Sequence, residues 1–115
     1  MSELANLQEQ IKKFCNDRDW QQFHKFKDLA ISLSLEASEV LEHFQWKSDE
    51  EINKHINEKS NKIADELADV LYWTLYISDK AGIDLSAAFA AKMKKNEIKY
   101  PIEKAKGSHR KYTEI

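Results

Sequence analysis

LEASEVLEHFQW (residues 35–46) and DELADVLYW (residues 65–73) decide how this chain reads. Each sets two acids three residues apart inside an apolar run: Glu36 and Glu39 in the first, Glu66 and Asp69 in the second. Residues three apart are neighbours on one helical face. Leu29, Leu33, Val40 and Leu41 mark an apolar stripe around the first pair, and Ile63, Leu67, Val70, Leu71, Leu75 and Ile77 mark one around the second. That periodicity predicts helices over about residues 28–46 and 61–80. Packed antiparallel, the two helices converge four carboxylates. At ~5 Å and an effective dielectric of about 20, each like-charge pair costs roughly 3 kcal/mol. A cation or protonation must offset that, and all-oxygen ligands select a hard divalent ion: Mg²⁺, Mn²⁺ or Ca²⁺. Glu42, three residues past Glu39, adds a carboxylate on nearly the same face, placed to support the ligands or to act as a water base.

Working outward, Leu4, Leu7, Ile11 and Phe14 recur at helical spacing and predict a first helix over about residues 4–14. The segment NDRDWQQFHKFKD is polar and aperiodic and reads as a turn or short connecting helix. Asp28 is the expected N-cap of the second helix. Ser48 followed by Glu51 has the capping-box pattern and opens a polar stretch, expected to be a short separate helix or a hinge. Gly82 is a stop signal, and Asp84 caps a fourth helix that ends before Pro101. Residues 1–101 read as one helical domain and residues 102–115 as a flexible basic arm. The run AAFAA in the fourth helix permits close packing, including between subunits.

Composition narrows the class. A chain of 115 residues with two Gly, one Pro and 33% charged residues is a single, nearly all-helical unit. Its core is modest, so a subunit interface is expected to add burial. A lone cysteine, Cys15, rules out an intrachain disulfide and points to a reducing, cytoplasmic setting. No apolar run is long enough for a bilayer, and the N-terminus lacks a signal-type apolar region. Residues 92–112 carry eight Lys/Arg against two Glu, although the whole chain is at −2. This strip reads equally as a solvated helix end or as an anion-binding surface.

Other chemistries fit less well. The residues three before His24, His43, His55 and His109 are Gln21, Val40, Ile52 and Lys106, so the Glu-x-x-His motif of di-iron bundles is absent. No Cys/His cluster supports zinc. With only Gly82 and Gly107, no glycine-rich phosphate loop exists. Phosphates must then be held by metal and side chains, and Lys92, Asn96 and Tyr100, spaced by four, are the candidates. Trp46 lies seven residues past Glu39, and Trp73 lies seven past Glu66 and four past Asp69. Two helical turns place both indoles near the acidic face, where a base can stack. Trp20, Gln21, Gln22, Phe23 and His24 in the connecting segment add a further aromatic and polar group. A metal beside an aromatic slot suits a nucleoside triphosphate. The competing class is a non-catalytic nucleotide sensor or a nucleic-acid interaction protein. The net acidic charge and the lack of a DNA-binding motif argue against a nucleic-acid partner.

RDWQQFH (18–24), LEASEVLEHFQW (35–46), DELADVLYW (65–73), KMKKNEIKYP (92–101) and GSHRKYTE (107–114), in that order, resemble the MazG-like all-α nucleotide pyrophosphohydrolases, in their dCTP pyrophosphatase-like branch. The resemblance implies a four-helix-bundle-like fold similar to the dimeric dUTPases. It implies hydrolysis of (d)NTPs, dCTP or related and modified deoxynucleotides, to monophosphate and pyrophosphate in nucleotide-pool housecleaning. It implies Mg²⁺, with Mn²⁺ as substitute, on Glu36, Glu39, Glu66 and Asp69, and base and sugar contacts from Trp20 through His24, Trp46 and Trp73. Lys92, Asn96 and Tyr100 are implied phosphate contacts, and a homotetramer built from two tight dimers is the implied assembly. Leu35 stands where the broad family pattern has the first of two paired acids. Ile11 stands where mammalian-type dCTP enzymes place a histidine, and Trp73 replaces a tyrosine.

Overall fold

The computed structural model describes residues 2–115, and among them every regular element is helical. The elements are α1 (Glu3–Asp17), α2 (Phe26–Glu42), α3 (Asp49–Lys80), α4 (Leu85–Lys99) and the single turn α5 (Ile102–Ala105), with 3₁₀ turns at Gln21–Phe23 and Tyr112–Glu114. The chain divides into two compact units, one running through Gly82 and the other Ile83–Ile115.

In the first unit α3 packs against both α2 and α1. Ile11 and Cys15 of α1, Leu29 of α2 and Leu75 of α3 are buried. The Gln8 amide fastens α1 to α3, donating to the Leu75 carbonyl at 3.2 Å and to Ser78 Oγ at 3.1 Å. Cys15 Sγ lies 3.1 Å from the Tyr72 hydroxyl, where burial raises the phenol's pKa. Among the described residues, these four buried apolar side chains make a small core. Many large apolar residues are exposed on the single chain, among them Leu35, Leu41, Leu67 and Leu71 in this unit and Phe89, Ile98 and Ile102 in the other.

Local chemistry sets most helix ends. Ser2 Oγ accepts from the Ala5 amide at the start of α1. Ser48 and Glu51 form a reciprocal capping box at the start of α3, at 3.2 and 3.1 Å. Asp84 caps α4 through the Ala87 amide, and Gly82 turns the chain out of α3 with φ +70°. Two boundaries differ from the sequence expectation. The second helix starts at Phe26 with Lys25 in the cap position, so Asp28 sits in the first turn, where a carboxylate still favours the helix dipole. The same helix closes at Glu42, and residues 43–46 form a turn ending on Trp46 at φ +69°. The stretch after Ser48 is, as expected, a helical segment of its own: it forms the first leg of α3, and the non-helical backbone of Lys59 (φ −122°, ψ 23°) separates it from the second leg, which continues to Lys80.

In the second unit, Lys92 and Asn96 lie one turn apart on α4, and Tyr100 is its C-cap. The Tyr100 ring meets the Tyr112 ring edge-on at 6.1 Å, and the Lys99 ammonium stands 4.8 Å from the Tyr112 ring. Among the described residues, no helix is long and apolar enough to cross a membrane.

Candidate active site

Glu36 and Glu39 lie on α2 and Glu66 and Asp69 on α3, two helices in contact. Burial pushes the Glu36 carboxyl above the usual carboxylate range, and the carboxylates of Glu39, Asp69 and Glu66 push it further. All four acids therefore share one neighbourhood. Oε2 of Glu36 and Oε2 of Glu66 are shut away from solvent without a hydrogen-bond partner. A buried orphan acceptor costs about 1–3 kcal/mol, and more when it is charged. Nε2 of the His43 imidazole lies against Glu66 Oε2.

This donor set fits a hard divalent cation. Every donor is a carboxylate oxygen, Glu36 Oε2 is buried without a partner, and like charges accumulate with no lysine or arginine among the described residues paired to them. No three His, Cys, Asp or Glu among the described residues stand at metal-ligand spacing. The acids share a neighbourhood without closing on one point. Glu42, the last residue of α2, is exposed.

A cavity of about 480 Å³ opens beside the acids. Glu36 and Asp69 form one side of it, and Phe14, Trp20, Tyr72 and Trp73 supply the aromatic walls, with Gln10 and Ile11 completing the lining. The aromatic rings brace one another edge-on. Phe14 stands 5.5 Å from Trp20 and 6.4 Å from Tyr72, and Tyr72 stands 4.9 Å from Trp73. The Arg18 guanidinium caps Phe14 at 3.9 Å. Asp19, at φ +56°, turns the chain so that Trp20 comes back over Phe14.

His24 is held by Tyr76, whose hydroxyl is 2.7 Å from its Nδ1, and its ring meets Trp73 edge-on at 5.9 Å. Burial first, and then the Lys80 ammonium, lower the His24 pKa, so the ring is neutral near pH 7. Gln21, Gln22 and Phe23 are exposed on the 3₁₀ turn, and none lines this cavity. Trp46 is 92% exposed on the single chain, because α2 stops four residues short of it. Lys92, Asn96 and Tyr100 belong to the second unit. The cavity also contains Ile11, noted above only as a departure from the mammalian-type enzymes, and three groups that the sequence did not single out for a site: Gln10, Phe14 and Tyr72. Ile11 and Phe14 carried a signal, being on the apolar face of the first helix, but nothing local says that this face borders the acids.

Comparison with known proteins agrees with this architecture. Residues 31–115 match the MazG-like family. The chain is 35% identical to human dCTP pyrophosphatase 1 over 114 residues, covering 97% of this chain and 67% of that protein. It is 34% identical to the rat enzyme with the same coverage. A pyrophosphatase from Archaeoglobus fulgidus superimposes with a TM-score of 0.82 at 36% identity, over 88% of this chain and 94% of its own. The chain belongs to the MazG-like family.

Proposed function

We propose that the chain is a Mg²⁺-dependent pyrophosphohydrolase that converts dCTP, or a related or modified deoxynucleoside triphosphate, and water to the monophosphate and pyrophosphate. At the coarser level it is a nucleoside triphosphate pyrophosphatase, supported by its family and by its relatives over nearly the whole chain. The observation that carries the finer reading is that Glu36 and Asp69 share one cavity with Trp20, Tyr72 and Trp73. A charged triphosphate end and a planar base need these two surfaces side by side.

In this reading Glu36, Glu39, Glu66 and Asp69 hold the Mg²⁺. When bound there, the ion polarises the phosphate and lowers the pKa of a water ligand. The remaining work falls to the chain. The indoles of Trp20 and Trp73 stack the base, with Trp46 and residues 21–24 as further contacts to base and sugar. Glu39 or Glu42 orients the attacking water and accepts its proton. Lys92, Asn96 and Tyr100 bind the phosphates and offset the charge of the departing pyrophosphate. Each turnover breaks the α–β phosphoanhydride, with the water oxygen going to the α-phosphorus. The exposed apolar surface supports assembly into a homotetramer of two dimers, because the core of one chain is small. Removal of surplus or damaged deoxynucleotides in the cytoplasm is the role that fits.

The test is substitution of single acids. Glu39→Gln and Asp69→Asn are each expected to lower pyrophosphate release by at least about a hundredfold, as expected for the loss of a catalytic group, with helicity by circular dichroism unchanged. Wild-type rates in both variants would sink the metal-site reading. Nucleotide binding without any turnover in the wild type would favour a sensor.

A further inference from the structure

The contacts around His43 serve no part of the reaction described above. His43 is the C-cap of α2, and its side chain is only 11% exposed. One ring nitrogen, Nε2, lies against Glu66 Oε2. The other, Nδ1, lies 2.7 Å from His55 Nε2, with ring centroids 5.0 Å apart. His55 belongs to the leg of α3 before the bend at Lys59, and Glu66 to the leg after it. The His43 ring therefore ties together the end of α2 and both legs of α3, and it ends on one of the four acids.

We propose that His43 is a positioning residue for the acidic site: its ring, held from behind by His55, orients the Glu66 carboxylate for cation binding. This rests on the reading of the four acids as a divalent-cation site. The hydrogen bonding allows one consistent arrangement for neutral rings. A neutral imidazole donates from one nitrogen and accepts at the other. For Nε2 of His43 to donate toward the carboxylate, Nδ1 must accept, so His55 must donate from its own Nε2. His55 thereby fixes which nitrogen of His43 carries the proton. Anchored at Oε2, the Glu66 carboxylate keeps its second oxygen, Oε1, available as a cation donor. A carboxylate anchored at one oxygen loses less freedom on ligation than one that rotates freely. Partners of this kind behind a metal ligand typically carry about 10–100-fold in metal affinity.

The experiment measures Mn²⁺ binding to the full chain without nucleotide, by titration calorimetry, with melting curves as a folding control. His43→Leu is expected to weaken Mn²⁺ binding by about tenfold or more. His43→Gln, whose amide can donate in place of Nε2–H, is expected to restore binding to within about threefold of wild type, while Glu66→Gln loses most of it. Wild-type binding in His43→Leu, with binding lost in Glu66→Gln, would overturn the role of His43 and leave the cation site intact. Wild-type binding in Glu66→Gln would remove the cation reading itself. Equal losses in the Leu and Gln variants would reduce His43 to a packing residue and overturn the proposal. Should His43→Leu not fold, ¹⁵N NMR of the wild-type rings decides: a proton on Nε2 of both histidines supports the proposal, and a proton on Nδ1 of His43 overturns it.

Discussion

Replacing Glu36 by Gln is expected to make the metal-free protein more stable while abolishing its activity. Glu36 sits among Glu39, Asp69 and Glu66, and its Oε2 is buried without a partner. The nearest of these along the chain, Glu39, is one helical turn away. At about 6 Å the repulsion of two unit charges runs from roughly 0.7 kcal/mol at the dielectric of water to roughly 2.8 kcal/mol at an effective value of 20. Glu39 is exposed, so the lower half of that range applies. With smaller contributions from Asp69 and Glu66, the relief is about 1–2 kcal/mol. For a domain of this size, that raises the melting temperature by about 4–8 °C.

The gain depends on pH in a defined direction. The folded-state pKa of Glu36 is raised, so between the unfolded and folded values the native protein holds more protons than the unfolded one. Stability is then lost as pH rises through that window, and the deficit is fully present above the folded pKa. The advantage of Glu36→Gln over wild type should be largest at pH 8 and should shrink as pH falls toward about 4.5. Thermal unfolding in excess chelator at the two pH values measures this. A variant that melts at or below the wild type at pH 8 would refute the claim that these carboxylates repel one another.

Other outcomes follow from single contacts. Trp20→Ala, on the cavity wall, should raise KM by about 5- to 150-fold through a lost stacking energy of ~1–3 kcal/mol, with kcat changed much less; steady-state kinetics separates the two. Leu75→Ala empties a fully buried site and should cost about 3–4 kcal/mol in urea unfolding. Ser48→Ala removes half of the capping box and should cost about 1 kcal/mol, with no effect on KM.

The parts of this fold that were legible in the sequence are those set by local chemistry. Ser48 with Glu51, Asp84 and Gly82 act within a few residues of themselves, and each does in the structure what its side chain dictates. The grouping of the acids was legible for a related reason: spacing of three fixes a shared face, although only Glu36 and Glu66 are half-buried and Glu39 and Asp69 stand exposed. Trp46 was misplaced because counting seven residues along a helix holds only while the helix continues. HFQW contains neither Gly nor Pro, yet α2 ends before it, and Trp46 takes a left-handed backbone conformation that a non-glycine residue rarely adopts. The kink at Lys59 was legible as a separate helix or hinge after Ser48, because the polar stretch there lacks the apolar stripe of residues 61–80. The cavity wall and the His43–His55 contact depend on how α1, α2 and α3 pack, which no local pattern encodes.

The central claim is a reaction, and its products test it most directly. The protein is incubated with each deoxynucleoside triphosphate, with Mg²⁺ or with chelator, and the products are resolved by ³¹P NMR. The account predicts equal amounts of monophosphate and pyrophosphate, only when Mg²⁺ is present, and fastest from dCTP or a modified deoxynucleotide. Orthophosphate and nucleoside diphosphate as products, equal rates in chelator, or no turnover of any substrate would contradict it.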